Sequence, residues 1–209
     1  MTNRRLSALI AIAVGAFAAS CGGKKVETAP GPAEYKVRLE TSKGDVLILV
    51  HRDWSPLGAD HFYELTKRGF YDGNRFFRAL RGFIVQWGMN GDPKTNGDWS
   101  QVTIKDDPPK VSNKIGTVVF AKSSQPDSRS TQVFINLGDN SASLDPQGFT
   151  PFGEVIQGME NAMSIYTDYG EGAPDGSGPS QSEIAESGNV YLEQHFPKLD
   201  YIKTARIAP

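Results

Sequence analysis

The chain has 209 residues, 38% of them hydrophobic with 11 Phe and 7 Tyr, which is enough for one good-sized core, and nothing suggests two. A formal net charge of -2 offers no basic surplus to neutralise phosphates and excludes nucleic acid as the main partner. Its 22 Gly and 13 Pro imply many turns and lean towards β structure.

Residues 1–20 read as an export signal: Arg4 and Arg5 precede an apolar run from Leu6 to Ala19, and Ala18-Ala19-Ser20 lead into Cys21. The run is short for a membrane span, which needs about 20 apolar residues; a buried core helix is the competing reading. Cys21 is the only cysteine, so the chain has no internal disulfide to make. The segment resembles bacterial lipoprotein signal peptides, in which cleavage falls just before a cysteine that is then lipidated. Ala18 stands where that family usually has leucine. The resemblance implies a membrane anchor at Cys21 and a soluble domain outside the cytoplasm, in the cell envelope. Residues 21–34 then form a flexible tether, and residues 35–209 the folded domain.

In YKVRLET (35–41), Tyr35, Val37, Leu39 and Thr41 alternate with Lys36, Arg38 and Glu40, which describes a strand with one wet face. Ser42 to Asp45 supplies a turn, and DVLILV (45–50) is a more fully buried return strand. Ser55-Pro56 opens a helix, with Ser as N-cap and Pro at the first position; Leu57, Phe62 and Leu65 give it an apolar side and Gly69 a stop.

The stretch FFRALRGFIVQWG (76–88) sets Arg78 and Gln86 in a run dominated by aromatic and aliphatic residues. If its halves are strands joined at Arg81-Gly82, Ile84 and Gln86 share a face, and Phe76, Arg78 and Leu80 form the matching row. A cation and an amide would then share an apolar surface. A guanidinium cannot shed its charge, since its pKa stays above roughly 12, and burying it is costly without partners. Such a site suits holding and polarising a neutral polar group better than moving protons. The competing reading is an arginine with its stem on the surface and its head in water.

Further on, GTVVFA (116–121) and QVFINL (132–137) read as strands with an exposed loop between them. Leu144-Asp145 leads through a turn to FTPFGEVI, whose Pro151 marks a strand edge or end. Val155, Met159, Ala162, Met163 and Tyr166 recur at helical spacing and predict a second amphipathic helix, its methionines serving as core filler. Residues 167–190 lack both periods and read as a long functional or disordered loop without a GxGxxG or calcium-loop pattern. The tail ends in a closing strand. His51, His61 and His195 show no metal-ligand spacing, and there is no GxSxG elbow and no P-loop. Carboxylates cluster in loops, where solvation is the default.

Taken in order over residues 35–166, FFRALRGFIVQWG, GTVVFA, TQVFINL, Leu144-Asp145 and FTPFGEV resemble the cyclophilins, a family of peptidyl-prolyl cis-trans isomerases. The resemblance implies a mainly β fold, an eight-stranded antiparallel β-barrel capped by two α-helices. It places the catalytic arginine on Arg78 and polar contacts on Gln86 and Gln132. The proline pocket falls on Phe83, Ile84, Phe134 and Leu144, with Ala121 lining the peptide groove and Phe149 in the place of a pocket histidine. Strict alternation would point Phe83 away from Gln86, so the turn at Gly82 must break the period.

Several positions depart from the family: Ile84 replaces a common methionine, Trp87 a glycine and Lys122 an asparagine. Ser143 stands where cyclosporin-sensitive members carry tryptophan, which implies weak cyclosporin binding. The resemblance gives residues 167–190 no role. It implies a monomeric isomerase of Xaa-Pro bonds in exported proteins, with proline-containing polypeptides as partners and no cofactor or metal called for. A non-catalytic binding module or chaperone on the same fold is the alternative, and a barrel enclosing a small apolar ligand is a more distant one.

Overall fold

The computed structural model describes residues 30–209, so the expected export signal, Cys21 and most of the expected tether lie outside the described residues. The alternating segment at the start forms β1 (Glu34–Thr41), which pairs in register with β2 (Gly44–His51). Helix α1 (Pro56–Lys67) follows, then β3 (Arg78–Leu80), β4 (Ile84–Trp87) and helix α2 (Pro93–Ser100). Next come β5 (Thr117–Phe120), β6 (Val133–Asn136), helix α3 (Ser141–Leu144) and β7 (Pro151–Gln157). Helix α4 (Met159–Met163), helix α5 (Gln181–His195) and β8 (Ile202–Ala208) complete the chain.

The eight strands form one antiparallel sheet in the order β3-β4-β6-β5-β7-β2-β1-β8. The expected closed barrel is a curled half-barrel, because β3 and β8 do not pair along their lengths. Residues just before β3 close the gap instead: Gly73 N donates to Ile202 O at 2.8 Å, Ile202 N to Asn74 O at 2.9 Å and Phe76 N to Asp200 O at 3.0 Å.

Period two along the strands divides the sheet into two faces. Val85, Trp87, Val118, Phe120, Val133 and Ile135 turn inward and join Val37, Leu39, Ile48 and the α1 residues Phe62 and Leu65 in the main core. Their alternates Ile84, Val119 and Phe134 turn to the other face and form a separate buried cluster with Leu144. That second, smaller cluster is what a ligand can reach.

The helix ends rest on side chains from distant loops. Ser55 stands at the N-cap of α1 as expected, yet it makes no capping bond; its hydroxyl donates to Asp107 at 2.5 Å. The Asp107 carboxylate accepts from the amides of Leu57 at 3.2 Å and Gly58 at 3.0 Å, so Asp107 satisfies the helix start. Both Asp107 and its partner Arg129 are buried.

Three expectations need correction, and one helix, α2, was not anticipated. The second amphipathic helix is short, because β7 extends through Val155 and Tyr166 lies beyond α4. Met163 is exposed and is not core filler. The polar helix α2 lacks an apolar period, but Asp92 caps it by accepting from Thr95 N at 2.7 Å and Pro93 opens it. Residues 181–190 of the expected long loop belong to α5: Ser180 caps it, Ile184 and Leu192 are buried, and Gly188 at φ 58° breaks its turn and hides the period. Among the described residues, no helix is long and apolar enough to cross a membrane.

Candidate active site

Strand register builds the site. Arg78 lies opposite Gln86 on β4, and Gln86 opposite Phe134 on β6, so the cation, the amide and the aromatic ring form one row on the outer face. Arg78 Nη1 donates to Gln86 Oε1 at 3.2 Å, Gln86 Nε2 to Gln132 Oε1 at 2.7 Å, and Gln132 Nε2 to Gln181 Oε1 at 2.9 Å. A chain of amides thus runs from the guanidinium to the start of α5.

Gly82, at φ +71°, turns the β3–β4 hairpin and breaks the alternation at Phe83. The Phe83 ring faces the site, with the Arg78 guanidinium carbon 5.8 Å from its centroid. A cavity of about 380 Å³ opens here, lined by Arg78, Phe83, Ile84, Gln86, Ala121, Phe134, Leu144 and Phe149. Phe149 meets Phe134 edge to face at 5.9 Å. Gln132 lies just beside this cavity, in an adjoining polar hollow that also includes Gln86 and Ala121. Every site residue expected from the sequence within the described residues is therefore in one place. Cys21 lies outside them.

Three buried asparagines hold the loops that carry the pocket. Asn140 Nδ2 donates to Phe83 O at 2.8 Å and to Asn136 Oδ1 at 2.6 Å. Asn113 Nδ2 reaches Asp145 Oδ1 and Phe149 O, each at 2.8 Å, and Asn136 Nδ2 donates to Asn113 Oδ1 at 3.2 Å. Phe83, Leu144 and Phe149 are fixed through this network, since buried amides hold their geometry when all their groups are paired. The departing positions separate in space. Trp87 is in the main core against Phe76, Ser143 is an exposed residue outside the cavity lining, and Lys122 lies at the rim, its Nζ 3.7 Å from Asp106.

The residue not anticipated is Glu171. Its carboxylate accepts from Arg78 Nε at 2.5 Å and Nη2 at 2.6 Å, a bidentate pair. The hydrogen bonds from Arg78 hold its carboxyl below the ordinary range. With only 20% of its side chain exposed and both edges bonded, Arg78 does not project into bulk water. The arrangement can offer a permanently charged donor beside an apolar cleft, with an amide to hold backbone groups. Among the described residues no cluster of three or more His, Cys, Asp or Glu could hold a metal ion.

Residues 36–185 match the family of cyclophilin type peptidyl-prolyl cis-trans isomerases. Peptidyl-prolyl cis-trans isomerase A of Dickeya dadantii is 32% identical over 160 residues, covering 74% of this chain and 83% of the relative. A peptidyl-prolyl cis-trans isomerase of Acinetobacter baylyi is 32% identical over 132 residues, covering 61% and 70%. The fold is similar to that of a cyclophilin type isomerase of Cryptosporidium parvum, with a TM-score of 0.59 at 20% identity, covering 84% of this chain and 98% of that one. The match spans most of the strands and the whole of the cleft built by β3, β4 and β6, and the chain belongs to the cyclophilin-type peptidyl-prolyl cis-trans isomerases.

Proposed function

We propose that this isomerase works by Arg78 stabilising the twisted amide of an Xaa-Pro bond held in the apolar cavity. Rotation about an amide costs about 18–20 kcal/mol because resonance is lost midway, and Xaa-Pro bonds exchange over roughly tens to hundreds of seconds. At the midpoint the proline nitrogen recovers its lone pair and can accept a hydrogen bond. A donor that is fixed and charged in a water-poor cleft favours that geometry over either planar form. Phe83, Ile84, Phe134, Leu144 and Phe149 grip the ring, Ala121 lines the groove, and Gln86 with Gln132 holds backbone groups. The observation that carries this reading is Arg78 beside Gln86 at the edge of the apolar cavity.

Nothing in that scheme titrates near neutrality, and Glu171 is held ionised across the range. Exchange spectroscopy on a short Ala-Pro peptide should show acceleration that stays nearly flat between roughly pH 5.5 and 8.5, a window spanning the ordinary His pKa. A bell-shaped profile would bring in a titrating group and sink the mechanism. Shifted peptide signals without any acceleration would instead indicate a binding module.

The clients we propose are exported proteins, reached from an anchor at Cys21. The export signal over residues 1–20 and the lone cysteine that follows support this. Fatty-acid labelling in a bacterial host should mark the wild type and not Cys21→Ser, and label on neither protein, or equal label on both, would remove the anchor at Cys21.

A further inference from the structure

The segment between α4 and α5 is built around one residue, Glu171. Gly170 pairs with Ala79 of β3 across a single antiparallel bridge, which sets Glu171 beside Arg78. The chain then folds back on itself: Gly178 N donates to Glu171 O at 2.8 Å, Gly176 N to Gly172 O at 3.0 Å and Ala173 N to Gly178 O at 3.2 Å. A Cβ at Gly176 would stand 2.3 Å from Glu171 O, and one at Gly178 2.7 Å from the same atom, so neither position admits a side chain in this fold. Gly172 N also donates to Glu171 Oε1 at 3.0 Å. The glycine-rich composition of the segment is explained by this tight wrapping about Glu171.

We propose that Glu171 is a positioning residue for the isomerisation, holding the Nε–Nη2 edge of Arg78 so that Nη1 stays turned towards Gln86 and the proline cavity. The inference rests on Arg78 being the group that meets the twisted amide. A long arginine side chain gives up rotamer freedom when it is fixed, and here the loop fixes it before substrate arrives. Three nitrogens of the guanidinium already have partners, two on Glu171 and one on Gln86, while Nη1 and Nη2 each keep a further N–H.

The carboxylate braces the arginine and does not plug the site. With the pair formed, the cavity of about 380 Å³ remains open and Arg78 still lines it. On the other side the same two residues line a second cavity of about 520 Å³, floored by Phe77 and walled by Pro174 and Pro179. The ion pair thus lies between two hollows, with one further N–H on each of Nη1 and Nη2 left to donate.

The test is a set of exchange and steady-state measurements on an Ala-Pro peptide with the wild type, Glu171→Ala, Glu171→Gln, Glu171→Asp, Arg78→Ala and the Arg78→Ala/Glu171→Ala double variant. Glu171→Ala should lower kcat about 10-fold with KM nearly unchanged, in line with the sensitivity of rate to small misplacements. Glu171→Gln, which keeps the size of the side chain, should also fall, and Glu171→Asp should recover part of the loss. In the Arg78→Ala background, Glu171→Ala should cost nothing further, because the two act as one unit. A higher kcat/KM for Glu171→Ala would make the carboxylate a cap on Arg78 and overturn the proposal. Equal losses in both backgrounds would make it a scaffold for the loop and overturn it as well. Full activity of Arg78→Ala alone would show that the mechanism beneath the proposal has failed.

Discussion

At the residue scale, the chemistry we propose turns on one side chain, and the surroundings of that side chain fix its geometry. Arg78 was legible because a cation recurs in step with apolar residues on a strand, facing an amide across a hairpin. The pocket residues were legible through the family resemblance, and register explains why they converge: Ile84, Gln86, Val119 and Phe134 occupy one face of three neighbouring strands. Glu171 was not legible. A carboxylate in a polar, glycine-rich stretch looks solvated, and only the backbone bridge between Gly170 and Ala79 brings it to the cleft. Asn113 and Asn140 were missed for a similar reason, since asparagines are ordinary loop and turn residues, and Asn136 because a single amide at the end of a strand does not announce a buried network.

At the element scale, local sequence signals were reliable where a strand or helix buries one face, and weak where a distant residue does the work. β1, β2 and α1 follow from alternation and helical spacing, whereas α2 depends on an aspartate cap and α5 on two buried residues separated by a glycine break. The start of α1 shows the limit most clearly. Its orphan amides are satisfied by Asp107, whose carboxylate also takes the Ser55 hydroxyl and lies 3.0 Å from the Arg129 guanidinium. Burial pushes the Asp107 carboxyl up, but the Ser55 hydroxyl and Arg129 outweigh it and hold it below the ordinary range. Asp107→Ala would leave Arg129 buried with its main partner gone, a loss of about 3–5 kcal/mol. Chemical denaturation should show a fall of that size with the slope unchanged; a loss under about 1 kcal/mol, in the range of exposed pairs, would contradict the description of α1.

At the scale of the whole molecule, the half-barrel has its main core inside the sheet and its site outside, so function and stability can be measured apart. His61 belongs to the core: it is 1% exposed, and burial lowers its pKa to about 4. The unfolded chain, with an ordinary value near 6.5, binds the proton first. Stability from this group is therefore complete above about pH 6.5 and is lost as the pH falls towards 4, by about 3 kcal/mol in all. Thermal unfolding followed over that range should show the decline, and His61→Phe should flatten it; an unchanged slope in the variant would assign the decline to other groups. Because His61 is not among the residues that line the cleft, turnover should not follow it.

The central claim is that a planar charged fork, held still beside a greasy pocket, carries the rate. Exchange spectroscopy on the Ala-Pro peptide with Arg78→Lys beside Arg78→Ala tests it most directly, because lysine keeps the charge and lacks the fork. The account predicts that both variants lose about 100-fold or more of the acceleration, the loss expected for a key transition-state donor, while still shifting the peptide signals on binding. Acceleration by either variant within about threefold of the wild type would contradict it.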